Sequence, residues 1–270
     1  QKYFDVTLSD GNHIIASQST GEDTSFSAGV EAGTYYVYVD SSTRHNDEEY
    51  ILTATSAAGD TSGVETEDNG IVSTADTLTS GNPIKGQLSS DTDIDIYSIV
   101  TTSTGVIDIA FDAPTNSYNN YFDVSLSDGT NVIASQSTGE DTSFSAGVEA
   151  GTYYVYVDSS IYNHNAEEYS LTATSTAGDI SGVETEGNDE PSTADTLTSG
   201  NSIKGQLSSD TDRDVYSIVT TSTGTIDIVF DAPTNSSYSD YFNITLWDGQ
   251  NIIAAQATGK DTSFSAGVEA

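Results

Sequence analysis

Two short runs, D-T-D-I-D and D-T-D-R-D, each place three carboxylates at alternate positions: Asp91, Asp93 and Asp95, then Asp210, Asp212 and Asp214. On an extended chain alternate side chains point the same way, so each trio gathers its negative charge on one side and repels itself. A cation relieves that repulsion. Calcium suits the setting because it takes six to eight hard oxygen ligands at about 2.3–2.6 Å and tolerates irregular geometry, so carboxylates from a linker and a strand entrance can share one ion. The runs are not EF-hand loops, since Ile96 and Val215 take the glycine position and no Glu follows at the twelfth. Without an ion, each trio is three Asp on a solvated strand end, and both readings stand on the sequence alone.

Other chemistry lacks its parts. His13, His45 and His164 lie in polar, turn-like settings and do not repeat together across the chain, which marks them as surface residues. There is no G-x-S-x-G elbow, no H-E-x-x-H and no phosphate-binding glycine loop. Carboxylate pairs are plentiful among 42 acidic residues, so counting does not exclude a glycosidase-like pair, but a repeated array without a pocket does not favour one. The chain reads as non-catalytic.

The net charge is −36, from 6 basic and 42 acidic residues, which argues against nucleic acid and anionic membrane as partners. Much of the acid also serves to keep a long protein solvated, and specific divalent binding coexists with that. With no Cys there is no disulfide framework and no thiolate metal site. No stretch approaches the roughly 20 apolar residues that cross a bilayer. N-x-S/T sequons at Asn235 and Asn243 are glycosylation acceptors if the chain is exported.

These residues are carried by one unit used repeatedly. YFDVTLSDG begins at Tyr3, YFDVSLSDG at Tyr121 and YFNITLWDG at Tyr241, 118 and 120 residues apart, and each is followed by a near copy of IIASQSTGEDTSFSAGVEA. Glu65 and Glu184, like Tyr97 and Tyr216, are 119 apart. The expected organisation is the C-terminal half of a repeat over 1–63, a complete repeat over 64–182 and the N-terminal three quarters of another over 183–270. The chain reads as a window onto a longer polypeptide, or else as a subunit completed by neighbouring strands. The overlap of Tyr3–Ala32 with Tyr241–Ala270 argues against strict complementation.

Apolar residues alternate with period two between Gly, Asp, Asn and Ser punctuation, which predicts strands. In GTIDIVFD, Ile226, Ile228 and Phe230 share one face. Phe122, Val124 and Leu126 do the same, as do Phe144, Ala146 and Val148, and Tyr169, Leu171 and Ala173. Asp-Gly pairs at Asp10, Asp128 and Asp248 predict hairpin turns. The reading is all-β: about eight strands between Ile84 and Thr174, antiparallel β-sandwich (jelly-roll-like) modules of about 119 residues in tandem, no helix beyond a turn near Ser73–Leu78, and short acidic linkers at Thr55–Glu67 and Thr174–Glu186.

Taken in order, Glu184–Ile228 (ETEGNDEPSTADTLTSGNSIKGQLSSDTDRDVYSIVTTSTGTIDI), the YFNITLWDG strand, and the GTYYVYVDSS and EEYSLTATS strands resemble a bacterial pre-peptidase C-terminal domain. That family is similar to the collagen-binding domains of clostridial collagenases. The resemblance spans the complete unit and the matching parts of both partial ones. It implies a secreted β-sandwich without catalysis, appended to enzymes or surface proteins and often holding calcium near its N-terminal edge. Carried over by position, the implied calcium ligands are Glu65, Glu67, Asn69, Asp91, Asp93 and Asp95 in one unit. In the next they are Glu184, Glu186, Asn188, Asp189, Asp210, Asp212 and Asp214. Gly70 stands where Asp189 stands one unit later, so the first site loses a ligand or uses Asp68.

Tyrosine is the remaining surplus. In GTYYVYVDSS, Tyr153, Val155 and Val157 share one face while Tyr154 and Tyr156 share the other, matched by Tyr36 and Tyr38. With valine inward, these rings form an outer stripe able to bind a protein strand or a sugar or to seat a neighbouring module; ordinary cross-strand packing is the plain alternative. Two functional expectations follow. One is an extracellular or cell-surface stalk, fibre or filament of calcium-stiffened repeats that self-associate or adjoin further repeats. The other is an ancillary module binding matrix protein or polysaccharide for a secreted peptidase or adhesin.

Overall fold

The structure, a computed structural model, describes residues 3–42, 49–114, 121–159, 165, 167–233 and 241–269. His45, His164 and Asn235 lie outside the described residues. The chain divides into two compact units, 1–217 and 218–270.

In the first unit, β1 (Phe4–Ser9), β2 (Ile14–Thr20) and β3 (Tyr36–Ser41) form an antiparallel sheet in the order β2-β1-β3. A 3-10 turn at Val72–Thr74 precedes β4 (Asp76–Thr77), β5 (Pro83–Gly86), β6 (Ile94–Thr101), β7 (Gly105–Asp112), β8 (Phe122–Ser127), β9 (Val132–Thr138), β10 (Thr142–Val148), β11 (Gly151–Ser159) and β12 (Tyr169–Ala177). These make two sheets, β10-β7-β12-β5 and β4-β6-β11-β8-β9. After them, β13 (Asp195–Thr196) pairs with β14 (Tyr216–Ser217). The second unit holds β15 (Gly224–Phe230) paired with β18 (Thr262–Val268), and β16 (Phe242–Trp247) paired with β17 (Ile252–Thr258).

Period-two patterning decides which face is core. Along β7, Ile107, Ile109 and Phe111 are buried while Asp108, Ala110 and Asp112 are exposed. The inward residues of both sheets meet in one cluster: Ile107, Phe111, Leu171 and Tyr169 from one, Tyr97, Val124, Leu126 and Val155 from the other. Phe111 lies 5.0 Å from the ring of Phe122 and 5.1 Å from that of Tyr169. The fold is therefore an all-β sandwich over this stretch; among the described residues its two sheets hold nine strands, of which β5 to β12 answer to the about eight expected between Ile84 and Thr174.

Each Asp-Gly turn works as its chemistry demands. Gly11, Gly129 and Gly249 take φ values of 97°, 90° and 96°, a left-handed region that costs glycine nothing. Asp128 Oδ1 accepts from the amides of Thr130 (2.7 Å) and Asn131 (2.8 Å), and Asp10 and Asp248 repeat the pattern.

Two features differ from the sequence-based expectation. The pairings β4–β6 and β13–β14 are parallel, because the chain between each short Asp-Thr strand and its partner makes a crossover, through β5 of the other sheet in the first case, and not a hairpin. The ends of the supposed linkers are also structured. The strand β12 runs to Ala177 at the start of the second, and the Val-Glu-Thr segments at 64–66 and 183–185, near the end of each, are paired on both edges. Glu65 N–H donates to Lys85 O (2.9 Å) while Gly29 N–H donates to Glu65 O (2.9 Å). Glu184 repeats this with Lys204 (2.9 Å) and Gly147 (3.1 Å). Side chains add a second clip at each seam. Gln87 Nε2 donates to Ser17 O at 2.9 Å, and Gln206 Nε2 donates to Ser135 O. The hydroxyls of Ser17 and Ser135 donate to the carbonyls of Ser89 (3.0 Å) and Ser208 (3.2 Å).

Close backbone approach explains glycine at this contact: a Cβ on Gly147 would lie 2.7 Å from Glu184 O, and on Gly29 2.5 Å from Glu65 O. Gly147→Val is expected to lower stability by about 1–3 kcal/mol through this overlap, read by urea unfolding. Gly182→Ala, where a Cβ meets nothing within 4 Å, should change it by less than about 0.5 kcal/mol. Equal effects at the two positions would contradict the close seam.

Candidate metal centre

The doubly paired lead strand and the entrance of β6 deliver the acidic groups. Extended backbone puts Glu65 and Glu67 on the same side, and Asp95, second residue of β6, faces them. One carboxylate oxygen from each of Glu65, Glu67 and Asp95 lies within 4.8 Å of the others, and Glu184, Glu186 and Asp214 form the same group one repeat later. The first cluster is deep: Glu65 is 4% exposed, Asp95 and Asn69 0%. In the second, Glu184 and Asn188 are buried while Glu186 and Asp214 are partly covered.

A hydrogen-bonded relay of phenols braces the first cluster. Tyr97 Oη donates to Glu65 Oε2 (2.8 Å), lies 2.6 Å from Tyr169 Oη, and Tyr169 Oη donates to Asp95 Oδ2. Tyr216 Oη donates to Glu184 Oε2 (2.7 Å) in the second. Gln87 N–H and Gln206 N–H donate to the other oxygens of Glu65 and Glu184. Beside each cluster sits an acid that sequence reasoning missed. Asp76 accepts from Thr66 N–H (2.7 Å), from Thr66 Oγ1 (2.6 Å) and from Asn69 Nδ2 (3.4 Å). Asp195 does the same for Thr185 and Asn188. By taking the amide N–H₂, Asp76 and Asp195 leave the Asn69 and Asn188 carbonyl oxygens buried and without a hydrogen-bond partner. Glu67 Oε1, Asp95 Oδ1, Glu186 Oε1 and Asp214 Oδ1 are in the same condition.

Each cluster thus keeps three hard oxygens that meet no donor. Buried acceptors left unmade are costly, and neighbouring carboxylates compound the cost. Burial, then the charge of Glu67, holds the Glu65 carboxyl well above the usual range. Glu67 is pushed up to about 9 by burial and by the charges of Asp93 and Asp95. Burial and Glu65 likewise raise Asp95. In the second cluster burial lifts Glu184 to about 8 and Glu186 to about 7, Asp212 adding to the latter, and it raises Asp214. Either protons or a cation must neutralise these groups. The donor set fits calcium: three carboxylates and an amide oxygen from each repeat, all hard.

The remaining sequence candidates occupy other positions. Residues 90–93 form a turn and not an extended run, Asp93 N–H reaching Ser90 O at 3.3 Å. Asp93 caps it by accepting from Ser89 N–H, as Asp212 does from Ser208 N–H. Their charges still act on the clusters. Asp91 and Asp210 are exposed on these turns. Asp189 is exposed, and its backbone carbonyl accepts from Arg213 Nε at 3.0 Å. At the corresponding Gly70, Asp68 Oδ1 lies 3.7 Å from where a Cβ would stand. On the outer faces, Tyr36 and Tyr38 are half-exposed, and Tyr154 and Tyr156 partly so. The Tyr154 ring covers Gly129, a Cβ there lying 3.2 Å from it, and Tyr36 covers Gly11 in the same way. Asn243 is exposed on β16.

A search with family models finds no match to this chain. No curated protein matches it either. Among solved structures, the chain is similar to the pre-peptidase C-terminal domain of a collagenase from Bacillus anthracis. The two share 25% sequence identity at a TM-score of 0.32, over 37% of this chain and 94% of that one.

The raised carboxyls set a pH dependence. Without metal, the folded protein retains protons on Glu67, Glu184 and Glu186 that the unfolded chain loses near 4.5. Folded protein then binds more protons than unfolded, so stability falls as pH rises. In chelator, the melting midpoint is expected to drop steadily from pH 5 to pH 9. A rise over that window would contradict the buried-acid geometry.

Proposed function

We propose that the chain is a non-catalytic structural repeat protein of the cell surface or extracellular space, part of a stalk, fibre or filament in which calcium stiffens each seam. The observation that carries this reading is the double role of one residue per seam. The backbone carbonyl of Glu65 receives Gly29 of the preceding repeat, and its side chain enters the acidic cluster. Glu184 does both for Gly147 and the second cluster. An ion there neutralises the cluster and, through the same residue, fixes the strand that seats the neighbour. Glu65, Glu67, Asn69 and Asp95 would hold one ion, and Glu184, Glu186, Asn188 and Asp214 the other. The bound ion supplies charge compensation and rigidity, with no reaction to perform. A high negative charge and near-interchangeable repeats suit a solvated spacer.

A second reading, an ancillary module that binds matrix protein or polysaccharide, draws on the outer sheet face. Tyr156 lines a groove of about 350 Å³ with Ile94, Asp123, Ser125 and Asp158. Aromatic rings beside carboxylates and hydroxyls are apt for a sugar or an extended peptide.

Calorimetric titration of chelator-stripped chain is expected to show two calcium sites. At 100-fold excess over Kd each adds about 2.7 kcal/mol to stability, which should raise the melting midpoint by several degrees. Asp95→Asn should remove one site and Asp214→Asn the other. Coincident melting curves in calcium and in chelator would refute the ion. Continuous filaments in negative-stain images of native material would favour the first reading; isolated molecules that retain matrix protein or polysaccharide would favour the second.

A further inference from the structure

The decapeptide DTSFSAGVEA occurs three times, at 23–32, 141–150 and 261–270. In the first two copies its glycine amide is buried under an acidic lead, Gly29 beneath Glu65 and Gly147 beneath Glu184. The third copy is built alike. The strand β18 pairs with β15 as β10 pairs with β7, Gly267 opposite Thr225 where Gly147 is opposite Val106. Alternation of the ladder therefore turns the Gly267 N–H away from β15, as it turns Gly147 away from β7. The bulged hairpin beside it is also reproduced, with a register shift at Leu246/Trp247 matching that at Leu126/Ser127.

Yet among the described residues none packs on Gly267 at this edge. Gly267 is exposed, and the nearest atom to a Cβ built on it is Gly224 O at 4.0 Å. Ile15 and Ile133, which lie two residues before the seam serines, are 5% and 7% exposed, whereas their counterpart Ile253 is 36% exposed.

We infer that the outer edge of β18 and the adjoining β17 form a docking surface for the acidic lead of a further repeat of this kind, an extended Val-Glu-Thr-Glu segment like 64–67 and 183–186. Continuity with the two occupied seams identifies the occupant. The contact is strand addition: backbone groups at Gly267 supply the attachment, and the absent Cβ admits the incoming carbonyl. One contact is missing: Ala255 replaces the Ser17 and Ser135 hydroxyls that reach the next repeat. The third seam should therefore be the weaker.

The test extends the chain after Ala270 with a copy of its own residues 151–217, which continue the repeat in register. Hydrogen exchange at the Gly267 amide is expected to be fast in the 270-residue chain and at least about 100-fold slower in the extended one, approaching Gly147. Gly267→Val should leave the melting of the 270-residue chain unchanged, because the space is open, and abolish the added protection in the extended chain. Ala255→Ser should increase that protection. Unchanged exchange at Gly267 on extension, with Gly29 and Gly147 protected, would overturn the proposal. So would Gly267→Val without effect in the extended chain. The proposal rests on backbone geometry and not on calcium: equal protection in calcium and in chelator would support the docking surface while counting against the ion.

Discussion

Like charges buried together govern this molecule. Glu65 and Asp95 sit inside the protein with Glu67 beside them, within 4.8 Å through one oxygen each, and the arrangement recurs at Glu184, Glu186 and Asp214. Phenols and backbone amides satisfy some of the oxygens, while others in each cluster meet no donor. Burial of this kind is unfavourable unless something positive enters. Glu65 and Glu184, one member of each cluster, also accept through their backbone carbonyls from Gly29 and Gly147.

The seam itself is a backbone device. Each lead segment uses both of its edges, one on the Lys85 or Lys204 strand of its own repeat and the other on Gly29 or Gly147 of the preceding one. Side-chain bonds of Gln87, Ser17, Gln206 and Ser135 reinforce these backbone contacts. The seam demands glycine where the carbonyl approaches, which accounts for Gly29 and Gly147 within the AGVEA motif. The acids add buried carboxyls whose neutralisation hydrogen bonds alone do not complete.

Much of this was legible in the residues, for identifiable reasons. Period-two patterning placed the strands of the sandwich because one face of each strand is core, as along β7. The Asp-Gly turns were readable because only one backbone conformation suits them. The seams were not, because V-E-T-E carries no turn or apolar signal and its pairing is made by backbone groups that any sequence possesses. Nor was the turn at 90–93: Ser89 and Asp93 cap it locally, which an alternating run of Asp conceals. Asp76 and Asp195 escaped notice although they repeat in register, since their role is to orient an asparagine and not to project into a site. Tyr169 reads from the sequence as one face of a strand and Tyr97 only as a marker of the repeat; the structure buries both and ends their hydroxyls on carboxylates.

The most direct measurement is a crystal structure of the chain grown with calcium and compared with one grown in chelator. The account expects an electron-dense peak within coordination distance of Glu65, Glu67, Asn69 and Asp95, and a second at Glu184, Glu186, Asn188 and Asp214. Carboxyls hydrogen-bonded to one another as protonated pairs in both crystals, with no peak between them, would contradict it.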